Sequence, residues 1–153
     1  MSYLENRIPP PLVAIAVAAA MWFLARFGSA VEIAIGVRLA AAGLVALVGL
    51  AVMGLGVGAF GRARTTLNPV KIDTASALVT DGIFAHTRNP MYLGMTIILL
   101  AWAVYLAAPW SLIGPVAFVL FMTRFQIVPE ERVLAAKFTS AYLDYTSKVR
   151  RWV

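Results

Sequence analysis

The residues best suited to chemistry lie in two stretches far apart in the chain. Thr87-Arg88-Asn89-Pro90-Met91-Tyr92-Leu93-Gly94 carries a polar, cationic loop straight into an apolar segment. Arg124 and Gln126 stand near the end of another apolar segment, and Glu130-Glu131-Arg132 opens the charged tail beyond it. Carboxylates bind ammonium and hydroxyl groups, and arginine forks bind carboxylates. Ionic groups beside hydrocarbon are expensive, so they mark functional sites more often than the same groups on a soluble surface.

Each of these residues also has a plainer role when taken alone. Arg88 and Arg124 suit the anchoring of a helix at a membrane interface, and Tyr92 suits an aromatic belt. Asn89-Pro90 suits a helix start, with Asn as cap and Pro in the first turn. Glu130 and Glu131 in a first helical turn complement the helix dipole. His86, the single histidine, is by itself a loop residue. The case for a site rests on their convergence.

Several chemistries are excluded. There is no cysteine, so disulfides, thiolate zinc sites and cysteine nucleophiles are absent, and one histidine cannot build a multi-histidine metal site. A carboxylate site for a hard cation is not excluded in the same way, but no acidic cluster has the loop spacing for one, and no metal is expected. Gly56-Val57-Gly58-Ala59-Phe60-Gly61 matches GxGxxG, but it ends an apolar helix instead of joining a strand to a helix, so a dinucleotide site is rejected.

The elements that must position these residues follow from composition. The 153 residues are 61% hydrophobic and 13% charged, with the apolar residues gathered in runs. Soluble domains average about 45–50% apolar and about 25% charged. The expectation is an all-α integral membrane bundle forming one domain over 1–153, with about four spans near 12–27, 34–60, 91–108 and 111–128. Pro9-Pro10-Pro11 precedes the first run, which is read as a retained span because Glu5 accompanies Arg7 ahead of it. Arg26 is expected to snorkel at its end. The second span is rich in small residues, and its Gly54 and Gly58 form a GxxxG pair suited to close helix packing, either within the chain or in a homo-oligomer.

A polar loop follows over 61–90, with Asn68-Pro69 and Asp81-Gly82 as turn signals. Spans three and four share a short Pro109-Trp110 turn and so form an antiparallel hairpin. Pro129 is expected to break the helix after span four. An amphipathic helix over 130–149 then places Leu134, Phe138, Ala141 or Tyr142, Tyr145 and Val149 on one stripe.

Four spans put both termini and the long loop on one side, together with most of the arginines and lysines. The positive-inside rule makes that side cytoplasmic. The net charge of +6 is accordingly read as orientation and contact with anionic headgroups, not as nucleic-acid binding. The tight hairpin also brings the start of span three and the end of span four to one level. Arg88, Asn89, Tyr92, Arg124, Gln126, Glu130 and Glu131 therefore meet there.

Arg88-Asn89-Pro90-Met91-Tyr92-Leu93-Gly94, a membrane hairpin, the Glu130-Glu131 pair and the Leu134, Phe138, Tyr142, Tyr145 tail together resemble the isoprenylcysteine carboxyl methyltransferase and phospholipid methyltransferase superfamily. Leu78-Val79-Thr80-Asp81-Gly82-Ile83-Phe84 resembles the family's lead-in, and the likeness covers about 65–153. It implies an integral membrane enzyme that uses S-adenosylmethionine. By position, Asn89, Pro90, Tyr92 and Gly94 belong to the cofactor segment, Glu130 and Glu131 match the paired acids, and Arg124 sits near the methyl acceptor. Arg88 joins Arg124 and Glu130 as a candidate catalytic residue. His86 and Tyr142 are added to the cofactor set, and Tyr142 or Trp152 is suited to face a cation or the adenine ring. Gly94 would let backbone and cofactor approach closely. Glu130, Glu131 or His86 would serve as base for an amine or thiol acceptor; a carboxylate needs none.

The chain departs from the family pattern in three places. Many relatives have His at Asn89, Gly at Thr139, and Arg or Tyr at Ala85. The acceptor expected first is a phospholipid amine, then a carboxylate or thiol. A non-catalytic assembly or regulatory subunit is the rival reading, and cofactor affinity separates the two.

Overall fold

Long runs without charge, broken by proline, set the helices of the computed structural model, which describes residues 5–28, 30–63 and 77–153. Helix α1 spans Pro10–Leu24, with prolines in its first turn, where no amide partner is needed. Helix α2 spans Ile35–Arg62 and α3 spans Pro90–Leu106, again with proline at its start. A 3₁₀ turn, Pro109–Leu112, leads into α4, Ile113–Met122. A π-helical turn, Thr123–Ile127, joins α4 to α5, Val128–Lys148. Another 3₁₀ turn, Gly82–Ala85, precedes α3. No strand occurs among the described residues. Arg64, Lys71, Asp73 and the Asn68-Pro69 turn fall outside them.

Two helical runs, Ile35–Arg62 and Pro109–Lys148, are long and apolar enough to cross a membrane. Helices α1 and α3 are apolar but shorter, at 15 and 17 residues. Large apolar side chains, among them Ile15, Leu44, Leu47, Leu55, Val116 and Leu120, point outward. Such a surface suits lipid, not water. In the second run the charge-free part ends at Arg124, and Glu130 to Lys148 is the charged half.

The core gathers Val13, Met21, Tyr92, Leu99, Phe118, Met122 and Ile127 from α1, α3, α4 and the π turn. Helices α2 and α3 form the most extensive pair. Their approach uses Gly49 and Gly94: a Cβ on Gly94 would lie 2.6 Å from the Gly49 carbonyl oxygen, and one on Gly56 would lie 3.0 Å from Pro90. The expected Gly54–Gly58 pair is not the contact. Among the described residues, Gly54 faces nothing within 4 Å, and Gly58 meets only Arg62. The intrachain seam lies on the adjacent side of α2.

Two further expectations are corrected. Pro129 does not break the chain; α4, the π turn and α5 run on as one helical path. Proline removes the amide that the Phe125 carbonyl would bind four residues back, and the Asn6 amide donates to that carbonyl instead, at 3.0 Å. The break lies at Thr139, where φ is 40° and ψ −113°. A β-branched residue is strained there, and this is the position at which relatives often carry glycine. The amphipathic stripe itself holds, with Tyr142 and not the exposed Ala141 in its register: Tyr142, Tyr145 and Val149 are buried against Leu78, Leu134 and Phe138.

One melting series in detergent tests this packing. Gly94→Ala should destabilise by about 1–3 kcal/mol, the usual cost of overpacking. Gly54→Ala should stay within about 0.5 kcal/mol of the parent. Thr139→Gly should stabilise by about 1 kcal/mol through relief of strain. Equal melting of all four proteins would contradict the seam and the strain together.

Candidate functional site

The start of α3, the start of α5 and the C-terminal tail meet at one end of the bundle. Thr87 is buried and accepts the Asn89 amide at 3.2 Å, which shapes the turn into α3. Asn89 does not cap α3 with its side chain. Its Nδ2 donates to the Arg151 carbonyl at 2.9 Å, and the Arg88 amide donates to the Arg150 carbonyl at 3.1 Å. The tail is thus tied back over the entrance to α3. Trp152 completes the tie: its indole donates to Thr123 Oγ1 at 3.2 Å and its ring packs on the main core.

Two layers of charge lie under this tail. Glu131 takes a two-pronged contact from Arg151, Nε to Oε1 at 3.0 Å and Nη2 to Oε2 at 2.7 Å, and an ion pair from Arg88 at 3.1 Å. The bond to Glu131 raises the affinity of Arg151 for its proton. Arg88 also lies 3.5 Å from the Tyr142 hydroxyl. Deeper in, the Tyr92 hydroxyl donates to Glu130 Oε1 at 2.6 Å, with both residues buried. Gln126 is buried on the π turn, and its Nε2 finds no hydrogen-bond partner among the described residues; the same is true of Arg88 Nε. Burial pushes the Glu130 carboxyl up to about 8; the Tyr92 bond opposes that shift and the charge of Glu131 adds to it.

The structure therefore brings together Arg88, Asn89, Tyr92, Glu130, Glu131 and Tyr142. Pro90 starts α3 beside them, packed near Gly56. Three other candidates lie elsewhere. Arg124 turns away to Glu5, at 3.1 Å, with just over half of its side chain exposed. His86 is exposed, and its backbone closes the 3₁₀ turn. Gly94 faces α2, so the missing side chain serves helix packing. No group of three or more acidic or histidine side chains suited to a metal occurs among the described residues. Thr87, Thr123 and Arg151 are additions. Arg151 reads in sequence as a cation complementing a helix end; the signal for its second role was an Arg-Trp pair just past the tyrosine stripe.

The arrangement offers an acceptor of positive charge in Glu130, unused buried donors in Arg88 and Gln126, and aromatic rings around them. The phospholipid methyltransferase family matches residues 37–141. The chain belongs to that family. An uncharacterized protein of Haemophilus influenzae is 43% identical over 63 residues, the whole of that protein and 41% of this chain. No solved structure matches. Membership in the phospholipid methyltransferase family implies methyl transfer to a lipid-related substrate, and such enzymes generally draw the methyl group from S-adenosylmethionine.

The raised Glu130 carboxyl links stability to pH. Its folded value lies above its ordinary value of 4.5. The native state therefore holds a proton that the unfolded chain has lost, and the stabilisation present below about 4.5 is lost as pH rises through about 8. Melting of the parent should fall from pH 5 to pH 9, relative to Glu130→Gln, by several degrees; about 1 kcal/mol moves the midpoint of a chain this size by about 2–4 °C. Parallel curves for the two proteins would show that Glu130 does not titrate in this window.

Proposed function

We propose that the chain is an integral membrane methyltransferase that moves a methyl group from S-adenosylmethionine to a lipophilic acceptor, first of all a phospholipid amine, at the cytoplasmic face. The observation that carries this reading is the buried Tyr92–Glu130 pair beneath an Arg88–Glu131–Arg151 network in a chain of this family. The residues fit the cofactor's chemistry. Arg88, with an unpartnered buried Nε–H, offers donors to its carboxylate. Glu130 offers a hydrogen-bonding carboxyl, charged once its proton is lost, to its cationic groups, and Tyr142 borders the same space.

Bound S-adenosylmethionine supplies an activated methyl group on a sulfonium centre. The protein holds donor and acceptor in line and keeps water out, which is most of what such a displacement requires. Glu130, once it has lost its own proton, would take the proton that an acceptor nitrogen sheds on methylation. The adjacent acids divide the work. Glu131 is engaged by two guanidinium groups and positions the tail, while Glu130 faces the chemistry.

A four-span arrangement would fit this placement. Helices α1 and α3 both begin at the site end, where Asn6 also reaches Phe125. Arg38 lies toward the other end, bonded to the Tyr105 carbonyl, and Arg26 lies over Trp22. The remaining described cations gather on the site side, which the positive-inside rule makes cytoplasmic. The absence of cysteine allows a clean test: single cysteines at His86 and Ser147 should react with an impermeant maleimide only in inside-out vesicles, and one at Trp110 only in right-side-out vesicles. Any other pattern overturns the orientation.

Calorimetric titration with S-adenosylhomocysteine tests the activity class. Saturable micromolar binding is expected, weakened about tenfold or more by Arg88→Ala and by Glu130→Gln, the loss typical of a buried charged contact. Lys148→Ala, in an exposed pair with Asp144, should bind like the parent. No binding by folded protein in lipid would sink the methyltransferase reading and favour a non-catalytic assembly or regulatory subunit.

A further inference from the structure

Helix α1 packs on α3 and α4 but scarcely meets α2, although both flank α3. Between them runs a groove of about 570 Å³. Its walls are Ala14 and Ala18 of α1 and Met53 of α2, and its floor is Met95, Ile98 and Trp102 of α3. No charged residue lines it. Alanines on one wall keep it open, and the two methionines supply adaptable contacts. At the far end the Trp102 indole donates to the Ala18 carbonyl at 3.0 Å and so bridges α3 to α1.

The other end lies toward the starts of α1 and α3, where Pro11 lines it. Tyr92 lies one turn before Met95 and two turns before Leu99, and all three belong to one core cluster. The Tyr92 hydroxyl is the group bonded to Glu130. From Met95 to Trp102 the helix rises about 10 Å. A chain lying in the groove would thus begin beside the buried carboxylate and end against the tryptophan. The volume suits one slender hydrocarbon chain and not two.

We infer that this groove binds a single hydrocarbon chain of the methyl acceptor, holding its polar head at Tyr92–Glu130, and that Trp102 sets the length of chain taken up. The inference rests on the methyltransferase reading for the identity of the occupant. The geometry explains how a lipid's amine, which floats freely in the membrane plane, is brought to one depth and one azimuth: the chain is the handle.

The test uses the full protein in nanodiscs holding a phosphatidylethanolamine with a diazirine on one acyl chain at low mole fraction. Cross-linked residues are read by peptide mass spectrometry. Labelling at Met95 and Ile98 should saturate and be competed by unlabelled phosphatidylethanolamine. Labelling at Leu47, on the outward face of α2, should rise linearly. Ala14→Phe, which fills the groove from α1, should cut labelling at Met95 and Ile98 about tenfold and leave Leu47 unchanged. Met53→Trp fills it from the opposite wall and serves if the first variant fails to fold. Read at pH 9, where the Glu130 carboxyl is ionised, Glu130→Gln should weaken groove labelling severalfold by removing the charge that holds the amine head. Non-saturable groove labelling, or labelling indifferent to the filling variants or to Glu130→Gln, would show bulk lipid in the groove and overturn the inference. These ratios are read without cofactor. Failure of S-adenosylhomocysteine to bind would therefore strike the methyltransferase reading alone.

Discussion

Two adjacent carboxylates at the edge of an apolar bundle must be matched, and much of this structure follows from that need. Withdrawing a carboxylate from water costs several kcal/mol unless charge and hydrogen bonds replace the lost hydration. Glu130 and Glu131 meet the requirement differently. Glu131 is clamped by Arg88 from the loop before α3 and by Arg151 from the tail. Glu130, deeper in, has a tyrosine hydroxyl and keeps its proton to higher pH. The first solution requires the tail to fold back, and that return places Arg150 and Arg151 where their carbonyls bind the Arg88 amide and the Asn89 side chain. Removing one cation would leave the partly buried Glu131 with a single partner, so the three groups are expected to couple.

The path between α4 and α5 shows the same economy of partners. Proline at 129 would ordinarily orphan a carbonyl and bend the helix. Here a π turn precedes it and the Asn6 amide takes the Phe125 carbonyl. A π turn inserts one extra residue into the helical ladder and is found most often at functional sites. It turns Gln126 inward, to 2% exposure, and leaves Arg124 pointing outward to Glu5. The residues on either side of the turn therefore differ in fate, although both look equally eligible in sequence.

That difference marks the limit of what sequence carries. Apolar runs, the short hairpin turn and the tyrosine stripe depend on periodicity and composition, and the structure reproduces them with small shifts at the ends. The meeting of Arg88, Asn89 and Tyr92 with Glu130 and Glu131 was legible because the hairpin forces it. The direction of individual side chains was not. Arg124 required knowledge of the π turn, and Gly94 required knowledge of which face of α3 meets α2. Asn89 resembles a cap, yet its amide is spent on the tail. Gly54 and Gly58 match a packing motif, but Gly49 and Gly56 lie on the side that α3 occupies. The strain at Thr139 was visible only as a departure from relatives, with no physical reason until its φ was known.

Helix α3 ties these parts together because each of its sides has a separate duty. Gly94 lies against Gly49 and fixes α3 to α2. Tyr92 reaches across to Glu130 on α5. Met95, Ile98 and Trp102 line the groove toward α1. Residues three and four apart stand over one another on a helix, so the polar group and the groove floor are held in register by the helix itself and not by loops. A rotation of α3 that relieved crowding at Gly94 would swing Tyr92 from Glu130 and shift Met95 across the groove mouth at the same time. The close glycine contact is thus more than packing: it fixes the azimuth on which both the buried carboxylate's partner and the apolar groove depend.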